Sequence, residues 1–345
     1  MEYLKNAWYV AAWSKDISEQ PVSRRYLNQS VMLFRKENGG IAALADVCPH
    51  RYAPLSAGLK CSGDIIQCGY HGLQFNSDGE CVHNPHGDHK IPKAAKVRKY
   101  PVVELHSLIW IWMGDPKRAD PTLIPNLSFL ADSGRATLVG EMRMNAHYQL
   151  LIDNIMDLSH GPYVHASFIQ DAPFTKGKNT ILQEGNVVHS NQWVPCGAHH
   201  AVYGETDATQ ELHDQWWDVR WEPVGVMVLD SGVTPTGQPR EQGRRNLSAH
   251  MTTPETDTTC HYFYSNSRDY EVENEELSAK IRHWQAIGFH EQDHPMLEAV
   301  QRNMAHPDLL GLSPIMLAPD AGAVRVRRVL ANLIQEEKTE EEQLA

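Results

Sequence analysis

Long hydrophobic runs are missing from this sequence of 345 residues. No stretch reaches the ~18 apolar residues that a membrane-spanning helix needs. The N-terminal segment MEYLKNAWYVAAW lacks a charged region followed by an apolar core, so we expect no signal peptide and a cytoplasmic protein. An excess of positive charge is also missing. The formal net charge is -12, which argues against non-specific binding to nucleic acid or to an anionic membrane.

A disulfide framework is not indicated either. The chain has six cysteines, but disulfide frameworks belong to small secreted domains. We therefore expect reduced thiols and interpret any pattern of cysteine and histidine first as a metal or catalytic site. The sequence contains 19 histidines, and we expect most of them to lie outside such a site.

Short strand patterns fill the first part of the chain. Residues 1–118 contain β-branched and apolar runs separated by turn signals such as Gly39-Gly40, which predicts an all-β domain. The clearest predicted strands are Val31–Arg35, Ile41–Asp46, Ile65–Cys68 and Leu108–Met113. Because proline disfavours helix in the residue before it, the pairs Asp115-Pro116, Asp120-Pro121 and Ile124-Pro125 predict an extended linker. We place the domain boundary at residue 118.

Helical and strand patterns are mixed in residues 119–345, so the whole chain is predicted to be α+β. Strands are predicted at Val219–Trp221, Val224–Leu229, Ala249–Thr252 and His261–Tyr264. Helices are predicted at Tyr148–His160, which should end at Gly161-Pro162, and at Glu275–Ile287, Met296–Met304 and Gly322–Gln335. Asn274 is a candidate N-cap. The charged segment EEKTEEEQLA at the C-terminus is predicted to be a solvated tail.

Two short motifs pair a cysteine with a histidine. Cys48 and His50 form the first, and Cys68 and His71 form the second. Two cysteines on one iron and two histidines on the other make a Rieske [2Fe–2S] cluster, whose reduction potential is roughly -150 to +300 mV. A Cys₂His₂ zinc site uses the same residue types, but zinc sites usually show C-x₂₋₄-C and H-x₃₋₅-H spacing. The observed spacing favours the Rieske cluster.

The segments around these motifs resemble a known family. CPHRYAPLS (48–56) and CGYHGLQF (68–75) resemble the cluster-binding loops of Rieske non-haem iron oxygenases. NAWYVAA (6–12), CVHNPHG (81–87) and LIWIWMGDP (108–116) resemble the O-demethylases of that family, of the vanillate and dicamba type. The resemblance implies an N-terminal Rieske domain and a C-terminal helix-grip (START-like) catalytic domain, in which an antiparallel sheet wraps around a long helix.

An oxygenase of this family needs a second metal, because a Rieske cluster transfers electrons without activating O₂. Non-haem iron(II) oxygenases use two histidines and one carboxylate and leave coordination positions open. Asn154, Asp157 and His160 are spaced so that they share one face of the predicted helix, and His165 follows a turn. Spacing alone leaves solvated histidines as the alternative. The family pattern N-x-x-D-x-x-H-x₄-H implies that His160 and His165 bind iron(II), with Asn154 beside it.

The resemblance places the carboxylate ligand on a C-terminal helix. Asp293 is the residue that it implies, and Glu291 is the alternative. The stretch from His290 to His294 also matches H-E-x-x-H, the motif of zinc metalloproteases. Pro295 disfavours helical geometry at the second histidine, and a protease would leave the Cys/His motifs unexplained. We therefore do not favour a protease.

Asp157 has a further role by resemblance. In this family a carboxylate at this position bridges a cluster histidine of one subunit to an iron-binding histidine of the next. Here that implies hydrogen bonds from His71 of one copy and His160 of another to Asp157, which would fix the orientation of both rings. Such a head-to-tail arrangement implies a homotrimer.

The substrate pocket is harder to derive from the sequence. By resemblance, Trp284 would contact an aromatic ring and His250 would bond a carboxylate or phenol, although a core tryptophan and a strand histidine are the alternative. Leu229 replaces an amide that grips the anion in the dicamba-type enzymes. The segment 166–215, where the resemblance is weakest, is expected to cap the pocket.

The resulting prediction is O₂- and NAD(P)H-dependent monooxygenation of a small aromatic acid, by O-demethylation of a methoxybenzoate-like substrate. The sequence has no flavin or nicotinamide fingerprint, so electrons must come from a separate reductase of the flavin/ferredoxin type. Two alternatives stay open: hydroxylation of a ring or methyl group of an aromatic carboxylate or sulfonate, and a pure Rieske electron carrier. The chain length and the cluster of Asp157, His160 and His165 argue against the electron carrier.

Overall fold

The computed structural model describes residues 2–166, 177–197 and 213–344, and its architecture is α+β. The described chain divides into two units. The first comprises Lys5–Ile124 with Thr253–Thr256, and the second comprises the remaining described residues. The chain leaves the first unit after Ile124. The extents of 1–118 and 119–345 that we derived from the sequence stay a prediction.

The first unit is built from short antiparallel strands. They form three sheets, in the orders β1-β10-β9, β2-β3-β4 and β5-β6-β7-β8. The strands are β1 Trp8–Trp13, β2 Val22–Tyr26, β3 Gln29–Arg35, β4 Ile41–Ala45, β5 Leu59–Cys61, β6 Ile65–Gln67, β7 Gln74–Phe75, β8 Cys81–His83, β9 Val102–Leu105 and β10 Leu108–Trp112. The predicted all-β domain is confirmed.

The apolar core of the first unit reaches both cysteines of the Cys/His motifs. Cys48 follows β4 and Cys68 directly follows β6, and both belong to one buried cluster with side chains from the neighbouring strands. Phe34, Ile66 and Phe75 in that cluster are fully buried. Burying such apolar side chains stabilises the fold by roughly 1.5–3 kcal/mol each. The core therefore anchors the two loops that carry the motifs.

Residues 115–124, which belong to the first unit, do not form the extended linker that the sequence predicts. Pro116–Arg118 and Pro121–Leu123 form 3₁₀ turns. Asp115 accepts a hydrogen bond from the N–H of Lys117 (3.0 Å), and Asp120 accepts one from Thr122 (2.9 Å). Each aspartate acts as an N-cap, and the proline after it suits the first position of a helical turn. The Asp-Pro pairs thus start turns.

A seven-stranded sheet dominates the described part of the second unit. Its order is β11-β17-β16-β15-β14-β13-β12. The strands are β11 Ala136–Met144, β12 Lys178–Glu184, β13 Val187–Gly197, β14 His213–Glu222, β15 Val226–Pro235, β16 Arg244–Thr256 and β17 Thr259–Arg268. The predicted strands in this region exist but are longer than predicted, and Val224 lies in the turn between β14 and β15.

Helices complete the second unit. They are α1 Tyr148–Met156, α2 Gly161–Val164, α3 Glu275–Gln285, a π-helix Ala286–Asp293, α4 His294–Asn303 and α5 Ala321–Leu344. The Arg327 side chain on α5 donates to Asp153 (2.6 Å) and Gln149 (2.7 Å) on α1, which ties the two helices together. Asn274 caps α3 through the N–H of Leu277 (2.9 Å), as predicted.

The charged segment at the C-terminus is mostly exposed, as predicted, but it is not a separate tail, because α5 continues through it to Leu344. Glutamate, lysine and glutamine are good helix formers, so the charged segment extends the preceding helix. Within the described residues, no helix is long and apolar enough to cross a membrane.

Candidate redox and metal sites

The two Cys/His loops share one hydrogen-bond pattern. In each, the cysteine N–H donates to the carbonyl of the residue five positions later, and the N–H four positions later donates back to the cysteine carbonyl. The pairs are Cys48 with Ala53 and Tyr52, and Cys68 with Leu73 and Gly72, all at 2.8–3.0 Å. Tyr52 (φ 57°) and Gly72 (φ 74°) occupy the same left-handed position in the two loops. The two loops therefore have the same backbone structure, and we call residues 48–53 and 68–73 together the clasp.

The cysteines of this clasp face inward and the histidines face outward. Cys48 and Cys68 are 1% and 2% exposed, whereas the rings of His50 and His71 lie near the surface with centroids 4.4 Å apart. Burial raises the pKa of the Cys48 thiol, while hydrogen bonds from the N–H groups of His50 and Arg51 lower it. A metal that binds a thiol deprotonates it. Two inner sulfurs and two outer imidazoles fit a Rieske cluster.

A loop at residues 83–90, which we call the histidine loop, packs against the second half of the clasp. The Nε2–H of His86 donates to the backbone carbonyl of His71 (2.8 Å). A Cβ at Gly72 would lie 3.2 Å from the ring of Pro85. Asn84 holds the loop in shape, because its amide donates to the carbonyl of Lys90 (2.8 Å). The sequence did not indicate this contact with His71.

A second group of metal-binding side chains forms in the other unit. Potential ligand atoms of His160, His165 and Asp293 all lie within 4.8 Å of one another. Nε2 of His160 is 3.6 Å from one carboxylate oxygen of Asp293, and Nε2 of His165 is 3.4 Å from the other. Metal–ligand bonds of about 2.1 Å put neighbouring ligand atoms roughly 3–3.4 Å apart, so the spacing fits a single ion.

Hydrogen bonds on the far side of each imidazole aim both rings at this point. Nδ1–H of His160 donates to the backbone carbonyl of Asp157 (2.7 Å). Nδ1–H of His165 donates to Oε1 of Gln292 (2.8 Å). Each bond puts the hydrogen on Nδ1 and the lone pair on Nε2, which is how histidine ligands are usually fixed. Two histidines and one aspartate form the donor set of non-haem iron(II) oxygenases.

The predicted helix Tyr148–His160 is interrupted, and the interruption forms the site. Helix α1 ends at Met156, and Asp157 adopts an extended conformation (φ -125°, ψ 95°). Its carboxylate then accepts a hydrogen bond from the N–H of Ser159 (2.9 Å) and starts a 3₁₀ turn that ends at His160. This turn brings Nε2 of His160 to 3.4 Å from the side-chain nitrogen of Asn154. A local turn, not a shared helical face, groups these residues.

The same turn changes the expected contacts around it. Gly161-Pro162 does not end a helix but begins α2, with proline in the first turn. The main-chain oxygen of Asp157 accepts the hydrogen bond from His160, and one carboxylate oxygen of Asp157 caps the turn. Asn154 donates to Asp293 (3.2 Å) and so steadies the carboxylate of the metal group.

A π-helix presents Asp293 to the histidines. Asp293 is buried at the end of this element, whereas Glu291 is exposed. The two histidines of the H-E-x-x-H match have other partners: His290 meets the Tyr264 hydroxyl (2.7 Å), and His294 meets Glu298 (2.7 Å). They do not form a protease-like zinc site with Glu291. Single π-helical turns within helices often occur at functional sites.

The metal group lines a cavity between the sheet and α3. Its volume is about 160 Å³. A cavity of roughly 150 Å³ holds benzene, so a single aromatic ring fits. Most of its wall is apolar, including Leu158, Trp217, Leu229, Ile281, Trp284 and Phe289. Of the segment 166–215 expected to cap this pocket, residues 167–176 and 198–212 lie outside the described residues.

The three predicted substrate contacts, Leu229, His250 and Trp284, all line this cavity. Burial lowers the pKa of His250 to about 4, so its ring is neutral near pH 7. The Tyr262 hydroxyl lies 2.6 Å from its Nδ1, and Nε2 is buried without a partner among the described residues. Gln285, which the sequence reading missed, also leaves its Nε2 unpaired at the cavity. Only the fold reveals that α3 turns Gln285 to this side.

Comparison with known proteins supplies the remaining context. Residues 7–101 match the Rieske [2Fe-2S] domain, and residues 144–336 match the vanillate O-demethylase oxygenase C-terminal domain. The chain is 39% identical to the dicamba O-demethylase oxygenase component of Stenotrophomonas maltophilia, over 97% of this chain and 99% of that protein. It is 37% identical to the chloroacetanilide N-alkylformylase oxygenase component of Rhizorhabdus wittichii, over 97% of each.

A solved structure agrees with these similarities. The crystal structure of dicamba monooxygenase with non-heme iron and dicamba superposes with a TM-score of 0.85 at 37% identity. The match covers 99% of this chain and 100% of that one.

Proposed function

Because this chain belongs to the family of Rieske oxygenases with a vanillate O-demethylase-type C-terminal domain, we propose that it demethylates a small methoxybenzoate-like acid. It is the oxygenase component of a Rieske-type monooxygenase that carries a [2Fe–2S] cluster and a mononuclear iron. O₂ and NAD(P)H are its co-substrates, and a separate reductase delivers the electrons. The proposal concerns the substrate, the bond that is broken and the residues that act.

The two geometries above support the metal-binding residues that we propose. In the proposal, residues 1–118 hold the cluster through Cys48, His50, Cys68 and His71, and residues 119–345 hold iron(II) through His160, His165 and Asp293. When bound, the cluster supplies electrons and the iron activates O₂. The chain's own contribution is to fix the three iron ligands on one side and to leave the cavity side open.

The observation that carries the proposal is that the metal group lines a mostly apolar cavity with room for one aromatic ring. The indole of Trp284 and the side chain of Leu229 provide apolar surface for the ring. The phenol of Tyr262, whose pKa is raised far above the ordinary value by burial, keeps its proton. We therefore assign the Tyr262 hydroxyl as donor to Nδ1 of His250, which leaves a hydrogen on Nε2.

Two donors are then available for an acid group. Nε2–H of His250 and the Nε2 amide of Gln285 are both unpaired in the described structure. A carboxylate accepts from both, and such charge-assisted hydrogen bonds are stronger than neutral ones. This arrangement would hold the ring so that its methoxy carbon faces the metal group. Holding a reacting group in position in this way removes much of the barrier to reaction.

The reaction balances as a monooxygenation. The methyl ether, O₂, two electrons and two protons give the hydroxymethyl ether and water, and this product releases formaldehyde to leave the phenol. Asn154 stands beside the ligands with its Oδ1 buried and unpaired, so it can hold a proton-donating group or water at the reacting carbon.

We further propose that Asp157 joins the two metal centres between copies of the chain. Its main-chain oxygen already holds His160, and its carboxylate would accept the imidazole N–H of His71 from a second copy. A closed head-to-tail ring of three copies satisfies every such contact. Light scattering of the purified protein should give the mass of a trimer, and a monomeric mass would contradict this part. We also propose a cytoplasmic location, because all six cysteines lie among the described residues and none of them forms a disulfide.

The test is a panel of methoxy-, methyl- and unsubstituted benzoates, incubated with the enzyme, a Rieske-oxygenase reductase, NADH and O₂. We expect formaldehyde in equal amount to the phenol formed, from at least one methoxybenzoate. A His160→Ala variant should retain the cluster and release none. Ring or methyl hydroxylation without formaldehyde would replace O-demethylation as the function.

A further inference from the structure

Two buried asparagines at the cavity have no role in the function above. Asn246 on β16 and Asn266 on β17 are 5% and 7% exposed, and both line the cavity. The Oδ1 atom of each is buried without a hydrogen-bond partner in the described structure. A buried polar atom left unpaired costs roughly 1–3 kcal/mol. Such atoms at a cavity wall indicate that a molecule in the cavity completes their hydrogen bonds.

Asn246 lies away from His250, one of the two acid-binding donors, and Asn266 is on the neighbouring strand β17. His250, Ser248 and Asn246 alternate along β16 and all line the cavity. Four residues of a strand span about 13 Å, so Asn246 is at the far end of this face from His250. There it pairs with Ser231, which in turn pairs with Trp217 on β14, and both also line the cavity. Asn246 therefore belongs to a row of lining residues across three strands.

The unpaired atoms of the two asparagines are acceptors, so they favour a ligand group that donates a hydrogen bond. The amide nitrogen of Asn246 is engaged with the Ser248 hydroxyl (3.2 Å), so the atom left for a ligand is its acceptor. Asn266 likewise leaves its acceptor free. A carboxylate can only accept hydrogen bonds, and no lysine or arginine is among the described residues that line the cavity. An acid group at this end would therefore face unpaired oxygens with no cation to balance it.

Building on the proposed function, we propose that Asn246 and Asn266 are specificity-determining residues that receive a hydroxyl or amino substituent of the substrate ring. The acid group binds at His250 and Gln285, the methoxy carbon faces the metal group, and the donor substituent reaches the amide oxygens. In the free enzyme, water satisfies these atoms. A substrate that displaces this water without supplying a donor loses affinity.

The experiment measures binding to the holoenzyme without O₂, so that turnover does not interfere. The probes are pairs of methoxybenzoates that carry either a hydroxyl or a fluorine at the same ring position. We expect one hydroxyl probe to bind at least about tenfold more tightly than its fluoro partner, measured by calorimetry. Asn246→Leu and Asn266→Leu should each reduce this ratio at least about threefold while the fluoro probe binds as before.

Two kinds of variant separate this role from a structural one. Asn246→Asp keeps an acceptor oxygen and should keep the preference for hydroxyl, whereas Asn246→Ser, which adds no bulk, should lose it. Asn191→Leu is the matched control, because Asn191 is on the same sheet and its buried Oδ1 is also unpaired, but it lines a different cavity. The ratio of hydroxyl-probe to fluoro-probe affinity in Asn191→Leu should equal that of the wild type.

The outcomes are distinct. Equal binding of every hydroxyl and fluoro pair by the wild type, or an unchanged ratio in the leucine and serine variants, overturns the role of Asn246 and Asn266 and leaves O-demethylation intact. If no probe binds and no formaldehyde forms in the turnover panel, the proposed function fails together with this inference.

Discussion

The two imidazoles of the metal group are held by different kinds of acceptor. His160 donates to a backbone carbonyl, which no substitution removes, but His165 donates to the side chain of Gln292. Partners of this kind fix the ring and typically change metal affinity 10- to 100-fold when lost. Gln292 is therefore a residue through which we expect iron binding to change while all three proposed ligands are kept.

At this scale we predict that Gln292→Leu weakens iron(II) binding about 10- to 100-fold, because the His165 ring loses its orienting acceptor. Gln292→Glu should retain binding, since it keeps an acceptor for Nδ1–H. The measurement is iron(II) titration of protein whose mononuclear site has been emptied, with the cluster absorbance as internal reference.

The control for this prediction is the exposed neighbour Glu291. Glu291→Gln should bind iron(II) like the wild type, because Asp293 and not Glu291 lies with the histidines. Loss of iron in Glu291→Gln with normal binding in Gln292→Leu would mean that the ligand set is assigned incorrectly.

The sequence predicted the candidate metal ligands but not the residues whose hydrogen bonds orient them. His160, His165 and Asp293 came from a pattern that resembles a family, and the fold brings these three together. Gln292 was overlooked because spacing along a chain does not reveal which side chain accepts an Nδ1 hydrogen. Asn246 and Asn266 were overlooked for a similar reason: a strand pattern does not tell which face lines a cavity.

At the scale of elements, the histidine loop packs on the loop that carries His71. The hydrogen bond from His86 holds the His71 carbonyl, and Pro85 packs against Gly72, whose left-handed φ shapes the turn. The histidine loop thus stabilises the half of the clasp that carries His71. Its hydrogen bond is to the main-chain carbonyl of His71 and not to the His71 imidazole.

We predict that His86→Ala shortens the lifetime of the cluster roughly two- to tenfold, because one hydrogen bond to the His71 loop is lost. His86→Gln, which can still donate a hydrogen bond through its amide N–H, should restore part of the cluster lifetime. The decay of cluster absorbance at a fixed temperature measures the effect. His83→Ala, which changes an exposed histidine of the same loop, is the control; a lifetime in His86→Ala equal to that control would contradict the role.

Elements were predictable where one local pattern decides them. The buried strand β10 is an uninterrupted apolar run, and α3 has both its periodicity and the Asn274 cap. The break after Met156 was not predictable from apolar periodicity, because the capping bond that the Ser159 N–H donates to the Asp157 carboxylate outweighs that periodicity. The sequence did not lead us to predict that the charged segment at the end of α5 is helical, because we gave its charge more weight than its helix propensity.

At the scale of the whole molecule, the two redox centres belong to different units of the chain. The proposed cluster ligands lie in the first unit and the proposed iron ligands in the second, so in our proposal activity depends on electron transfer between the two centres. In our proposal this transfer runs between neighbouring copies of the chain, through Asp157. The resemblance suggested this arrangement, and no pattern within one chain could have supplied it.

The most direct test of the central claim is a single turnover without reductase. Holoenzyme is reduced, mixed with the preferred methoxybenzoate and O₂, and then assayed for its Rieske EPR signal and for formaldehyde. We predict that the reduced protein has this signal, and that the signal disappears as formaldehyde forms. In His160→Ala the signal should be present without any formaldehyde. Absence of a Rieske signal from fully loaded, reduced wild-type protein, or formaldehyde from His160→Ala at the wild-type level, would contradict the account.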